Sequence, residues 1–350
     1  MEFNVHRPDG TWIGIIEDFE SAIWRRAYYE TGDFELRVPA SADLLSIVEK
    51  DGYITRNDDD TLMIIEALTL TTNGETGDSV TIKGRTASAL LDRRVIWAQT
   101  TISGRVDAGV YKIINENALA PADPDRALPI AMDPPDVLAD KIDTQHTGTN
   151  LLAAVQEICT AHDMGFRAVR DNIAQVVARI ELYMGVDHRA AQSENAPVIF
   201  SPEYENLLST SYAYDMTIYK NVALIAGEGE GLARKRTVAG TAAGLQRREM
   251  YVDARDLSTN GGEIAEADYL TQLETRGLEK LAETQISEAF DGELDTENTY
   301  QYRRDYDVGD LVTIENEYGM RADVRIVQII ESWSESGAYS ITPIFEGMEG

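Results

Sequence analysis

Asp305, Asp307, Asp310, Glu315 and Glu317 crowd five carboxylates into a short stretch and offer the hard oxygen ligands that calcium takes. The spacing is not that of an EF-hand loop. Gly309 leads into an apolar run, residues 311–314, where the distal ligands would have to stand, so the stretch reads as a polar strand entry. Asn57-Asp58-Asp59-Asp60 reads in the same way as a hairpin turn. Cys159 and His162 are three apart on an expected helix, but no third or fourth ligand is near them in the sequence. They are read as a core thiol beside a helix-terminal histidine. Gly227-Glu228-Gly229-Glu230-Gly231 has the glycines for an anion nest, yet its two glutamates repel an anion, so a flexible hairpin tip is expected. Across that hairpin, Arg234-Lys235-Arg236 could meet phosphates, with Glu228 and Glu230 placed to neutralise it.

No GxxxxGKS/T, HExxH, CxxC or GxSxG pattern occurs. With 61 Asp and Glu, carboxylate pairs of the glycosidase kind are too many for any one to stand out. The sequence therefore singles out no catalytic, cofactor-binding or metal-binding residue and calls for no cofactor.

The elements that must position these groups are mostly strands. Over residues 2–70, short apolar runs alternate with turn chemistry at Pro8-Asp9-Gly10, Gly32-Asp33 and Asn57 to Asp60. Ser41 can cap a short helix over 42–50. After Trp97 the period changes. Val106, Val110, Ile113, Ile114 and Ala118 recur at helical spacing, as do Leu151, Leu152, Val155, Ile158 and Cys159. Between them Pro121, Pro124, Pro129, Pro134 and Pro135 predict an irregular surface segment. Strand-like runs return at 165–170, 173–183, 198–200, 207–214 and 222–226. A long helix is expected over 265–285, with Leu270, Leu273, Leu278 and Leu281 on one face. Three strands close the chain, with turns at 317–319 and 336–337. The fold class is mainly β with helical insertions (α+β). The expected division is a first β-barrel domain at 1–97, a helical and mixed α/β insertion at 98–196, and a second β-barrel domain at 197–350 carrying the long helix.

Composition limits the partners. Three hundred and fifty residues suffice for a large core, because chains near this size bury roughly three quarters of their unfolded surface. The formal net charge of −30, from 31 Lys and Arg against 61 Asp and Glu, disfavours sequence-specific nucleic-acid binding and anionic membrane surfaces. One cysteine rules out an intrachain disulfide and suits a reducing compartment. No apolar run of spanning length and no basic leader occur, so stable membrane insertion and secretion by a cleaved signal are not expected.

Six stretches, in order along most of the chain, resemble the hub proteins at the tip of siphophage tails. That family is related to the baseplate hub of contractile tails and to the hub half of type VI secretion spikes. The stretches are Trp24-Arg25-Arg26 through Gly32-Asp33-Phe34-Glu35-Leu36 to Pro39; Gly84-Arg85 through Leu90-Leu91-Asp92-Arg93-Arg94; Phe200-Ser201-Pro202-Glu203-Tyr204-Glu205-Asn206-Leu207; Lys220-Asn221-Val222-Ala223 through Gly231; Tyr251-Val252-Asp253 through Asp256-Leu257; and Asp305-Tyr306-Asp307-Val308-Gly309-Asp310-Leu311-Val312. The resemblance implies two pseudo-symmetric β-barrel domains, with strands exchanged between them where needed, and three copies in a ring. Such a ring adapts a six-fold tail tube to a three-fold tip and lines the DNA exit channel. Implied partners are the distal tail or tail tube proteins, the tape measure protein and a tip or fibre protein. The implied location is the virion tail tip. Since the chain stops soon after its last expected strand, wall cleavage or receptor binding would fall to another subunit, and the chain itself is not expected to be an enzyme. Three copies carry three times the charge of one, and acid lining the channel would keep passing DNA from adhering. A receptor- or carbohydrate-binding tail protein would instead show an exposed aromatic platform, with Trp12, Trp24, Trp97 and Trp333 as its tryptophans. Of these, Trp24 and Trp97 are expected in the core. A cell-wall hydrolase is a further alternative.

Overall fold

The computed structural model describes residues 1–74, 77–171, 176–285, 287–294, 299–318 and 321–347. Of the strand expected over 173–183, residues 173–175 lie outside these, as do Gly319 of the turn at 317–319 and the terminal Gly350.

Strand Asp59–Thr71 shows how alternation builds the molecule. Its first half is buried on both faces, as a continuous apolar run requires. Met63 and Ile65 point into one core with Trp24, Phe34, Leu36, Val80 and Ile82. Leu62 and Ile64 point into a second core with the helices that follow. The strand pairs with Tyr53–Arg56, Ser79–Thr86 and, at Val169 to Thr61, with Gly165–Arg170. A bulge between Ile65 and Ala67 re-aims its outer half, which is exposed.

Helix α1 (Ala42–Ile47) starts where Ser41 Oγ accepts the Leu44 amide at 3.0 Å. Helices α2 (Val106–Ile114) and α3 (Leu151–Ala161) give the second core its Val110, Ile113, Val155 and Ile158. Asn150 caps α3 through the Ala153 amide at 3.1 Å, and His162 ends it. The prolines hold 121–135 irregular apart from a single turn and the two-residue strand Ile130–Ala131. On either side of this segment lies a feature that helical spacing concealed, a two-stranded sheet of Thr100–Arg105 with Lys141–His146.

Strands Leu311–Glu315, Arg321–Ser334 and Tyr339–Gly347 form the C-terminal part of the sheet, over a core of Phe200, Tyr306, Val312, Ile326 and Phe345. The decisive pairing lies between the chain ends. Ser21–Ala27 runs antiparallel to Arg321–Ser334, Trp24 opposite Glu331, and fuses the N-terminal and C-terminal strands into one 16-stranded sheet. Among the described residues this sheet branches, and no ring of pairings closes on itself.

A fourth core belongs to a small separate sheet, Arg236–Ala239 beside Val222–Ala226 beside Glu249–Asp253, on which helix α4 (Glu266–Ala282) lies. Leu273 and Leu281 are buried there, but Leu278 is exposed, correcting the single leucine face expected. Leu278 lies five residues, about 140° around the helix, from Leu273, and the buried face is completed by Tyr269, Gln272, Arg276 and Glu279.

Candidate functional site

The pairing of the chain ends brings charged side chains together. Arg56, at the end of strand Tyr53–Arg56, meets Glu331 head-on, Nη1 to Oε2 at 2.6 Å and Nη2 to Oε1 at 3.1 Å. Their side chains are 1% and 3% exposed. Asp58 takes Nη2 of the same guanidinium at 2.6 Å, and the indoles of Trp24 and Trp333 flank it at 5.5 and 4.6 Å. Burial acts to lower the Arg56 pKa, but hydrogen bonds to Asp58 and Glu331 outweigh it and hold the value above that of a free guanidinium. Tyr339 donates to Glu331 at 2.8 Å. Arg303 adds a second cation, 2.6 Å from Asp59 and 3.4 Å from Glu331, and Trp24 Nε1 donates to Asp59 at 3.0 Å. Arg26 bonds Asp307 at 2.7 Å and the Tyr302 hydroxyl at 2.8 Å. Against its burial, Arg26 and Arg303 hold Asp59 below the usual carboxylate range, while burial pushes Tyr302 up to about 12.

Of these groups Arg26, Arg56, Asp58, Asp59, Arg303 and Asp307 line a cleft of about 600 Å³ that also receives Asp60, Arg167 and Arg170. Its chemistry is that of a clamp. The buried carboxylates are committed to guanidinium groups, and among the described residues of the cleft no nucleophile, base and orienting group converge. The expected hairpin turn falls on Asn57-Asp58, with strand pairing already resumed where Asp59 faces Arg56, and Arg303, some 245 positions on, donates to the Asp58 carbonyl and the Asp59 carboxylate, a contact that turn chemistry alone does not reveal. At the other acidic stretch, Asp305 pairs with Arg304 and Asp307 with Arg26. Asp310, its pKa raised by burial, accepts the amides of Val186 and Asp307 at 2.7 Å. Among the described residues no group of three or more His, Cys, Asp or Glu is arranged to hold a metal.

The remaining sequence candidates fall elsewhere. Cys159 is buried in the second core and its thiol pKa is raised by that burial; His162 is lowered by the same cause. Gly227 is a packing glycine rather than part of a free tip, since a Cβ there would lie 2.2 Å from the Tyr269 hydroxyl. Arg234 pairs with Asp253 and Lys235 with Glu266, not with Glu228 and Glu230. The neutralising carboxylates come from the neighbouring strand and from α4, and Glu228 instead accepts the Thr259 amide at 3.1 Å. Trp24 is buried as expected. Trp97 is 66% exposed, its ring covered on one side by Arg126 at 4.2 Å, because the chain leaves the core after Ile96.

One buried polar cluster has no signal in the sequence. Where α4 meets strand Lys141–His146 and α3, Gln145 donates to Gln272 at 2.5 Å, Arg276 to the Gln145 carbonyl at 2.8 Å, and Lys280 pairs with Glu157 at 3.0 Å. Burial, then Arg276, depress His146 to about 4; burial, then Glu157, raise Glu279 to about 8 despite Arg276 at 3.3 Å. Among the described residues no helix is long and apolar enough to cross a membrane.

The family model described as Siphovirus ReqiPepy6 Gp37-like protein matches residues 2–345. Three solved structures share the fold along its length. They are a tail protein from Neisseria meningitidis MC58 (11% identity, 98% of this chain, 96% of that one, TM-score 0.55), the prophage tail protein gp18 from Listeria monocytogenes EGD-e (14%, 100%, 96%, 0.55), and the 43 kDa tail protein of prophage MuSo2 from Shewanella oneidensis (12%, 99%, 98%, 0.58). At these identities the likeness is one of fold. No curated protein matches the chain.

Proposed function

The chain belongs to the Siphovirus ReqiPepy6 Gp37-like protein family, and from that membership we propose that it is a structural tail protein of a siphophage, a hub at the distal tail tip. The observation that carries this reading is the agreement in fold, over 98 to 100% of the chain, with three proteins described as phage or bacterial tail proteins. In this role the N-terminal strands and the C-terminal strands are the two hub units, locked by strand pairing and by the Arg56–Glu331 clamp so that neither tilts independently. The proposed division is a first hub unit at 1–97, an insertion at 98–196 and a second hub unit at 197–350, from which the small sheet and α4 branch as an appendage.

Three copies form a ring that matches a six-fold tube above and a three-fold tip below. The acidic surplus lines the channel, where DNA phosphates find no cations to release. Neighbours in the virion are the distal tail or tube proteins, the tape measure protein and a tip or fibre protein. Labelling this subunit in assembled tails and imaging them tests the position. Density at the distal end supports the reading, and density along the tube or at the head junction ends it.

A further inference from the structure

Two surfaces from well-separated parts of the chain are complementary. The first is a groove of about 490 Å³ between strand Trp12–Ile16, the end of strand Asp33–Pro39 and α1. Ile15, Ile16, Val38, Leu44 and Ile47 give it an apolar lining. Glu17, Asp18 and Asp43 rim it, no Lys, Arg or His lines it, and among the described residues none of the three carboxylates has a cationic partner. An apolar groove with uncompensated negative charge calls for an apolar side chain with a cation close by.

The second surface supplies that. Residues 237–248 contain no acid, and they end in Arg247 and Arg248 in a chain of net charge −30. Leu245, at the tip of a single turn at Gly244–Gln246, is 98% exposed. The loop is braced from within. Asn221 Nδ2 donates to the Gln246 carbonyl at 2.8 Å, the Arg248 amide donates to Asn221 Oδ1 at 2.8 Å, and Arg247 reaches the Ala242 carbonyl at 3.1 Å. A leucine held out in water on a pinned loop is ready to dock with little further loss of freedom. Arg247 is paired with Glu249 at 2.5 Å, whereas Arg248 has no carboxylate partner among the described residues and is the loop's uncompensated cation.

We infer that the groove of one copy receives the Leu245 loop of a second copy. Because groove and loop are different patches, the contact is heterologous, and a heterologous contact whose rotation closes makes a ring. The inference rests on the hub reading for its biological setting and adds the faces by which the ring closes.

The test uses two differently tagged full-length chains, one carrying Ser46→Cys at the exposed groove edge and the other Gln246→Cys beside Leu245, mixed under mild oxidation. Native Cys159 is buried and leaves the readout clean. Disulfides form only when the two Cα atoms come within about 7 Å. The expected result is a cross-linked heterodimer, with yield falling about tenfold when Leu245→Asp is added to the loop chain. Three results overturn the contact. One is absence of the cross-link at concentrations where sedimentation shows an oligomer, and another is absence up to the highest soluble concentration. The third is a cross-link from Ser46→Cys in virions to another tail protein only. An oligomer without this cross-link sinks the contact and leaves the ring, whereas a cross-link from a subunit imaged away from the tail tip sinks the hub reading alone.

Discussion

Removing Glu331 should loosen the fusion between the chain ends more than any other single charge deletion in this cluster. In Glu331→Ala, Arg56 keeps only the half-exposed Asp58 as a counter-charge in a site where its own side chain is 1% exposed. Tyr339 loses its acceptor and Arg303 its second carboxylate. Stranding one partner of a buried pair costs about 3–5 kcal/mol, and the surviving Asp58 places this case near the lower end, about 3 kcal/mol. At roughly 2.1 cal/mol/K of unfolding entropy per residue, that is a fall of about 4 °C in Tm if the 350 residues melt together. Trp24 and Trp333 flank Arg56, so tryptophan fluorescence in urea follows this junction directly. A double-mutant cycle with Arg56→Ala should give a coupling of about 2 kcal/mol. The Arg56→Met/Glu331→Leu pair, which strands no charge, should lie within about 2 kcal/mol of the wild type. A loss below about 1 kcal/mol for Glu331→Ala, or a coupling near zero, would refute the clamp.

Three further outcomes are expected. Between pH 4.5 and 8 the folded chain keeps a proton on Glu279 that the unfolded chain releases, so stability drains as pH rises; Glu279→Gln should remove this loss, its stability advantage in urea growing to about 2–4 kcal/mol by pH 8. His146 acts on the other side. Its folded value near 4 lies below the unfolded 6.5, so stability falls as pH drops through that window, and a wild-type Tm profile flat from pH 4 to 8 would contradict both assignments. Gly185→Ala should cost about 2–3 kcal/mol in urea, since its Cβ would stand 1.7 Å from the Gly309 carbonyl oxygen; an unchanged midpoint would show that this crossing is not tight. Trp24→Ala should cost about 3–5 kcal/mol and Trp97→Ala under about 1, and equal losses would mean that the two rings are equally buried.

Local chemistry was legible in the sequence. Ser41 caps α1 where a side-chain oxygen three residues ahead of an amide predicts it, and the prolines of 121–135 hold that segment irregular. Long-range placement was not. Ser21–Ala27 meets a strand some 300 residues later, and nothing local marks Glu331 as buried or Asp59 as the seat of Arg303. A charged residue on a strand looks solvated until the opposite charge arrives from the other end of the chain. Trp97 misled because exposure of a large ring depends on where the chain turns after Ile96. Leu278 misled because the buried stripe of α4 is partly polar: Gln272 and Arg276 find partners on other elements, and Glu279 faces Arg276 on its own helix. The groove at α1 needed three elements brought together before its unpaired acids could be seen as a rim.

The most direct test of the central claim is a reconstruction of the intact tail at side-chain resolution, made without imposed symmetry at its distal end. The account predicts three copies of this chain around an open channel, the Arg56–Glu331 clamp formed in each and carboxylates dominating the channel wall. One copy, six copies or a position away from the distal end would contradict it.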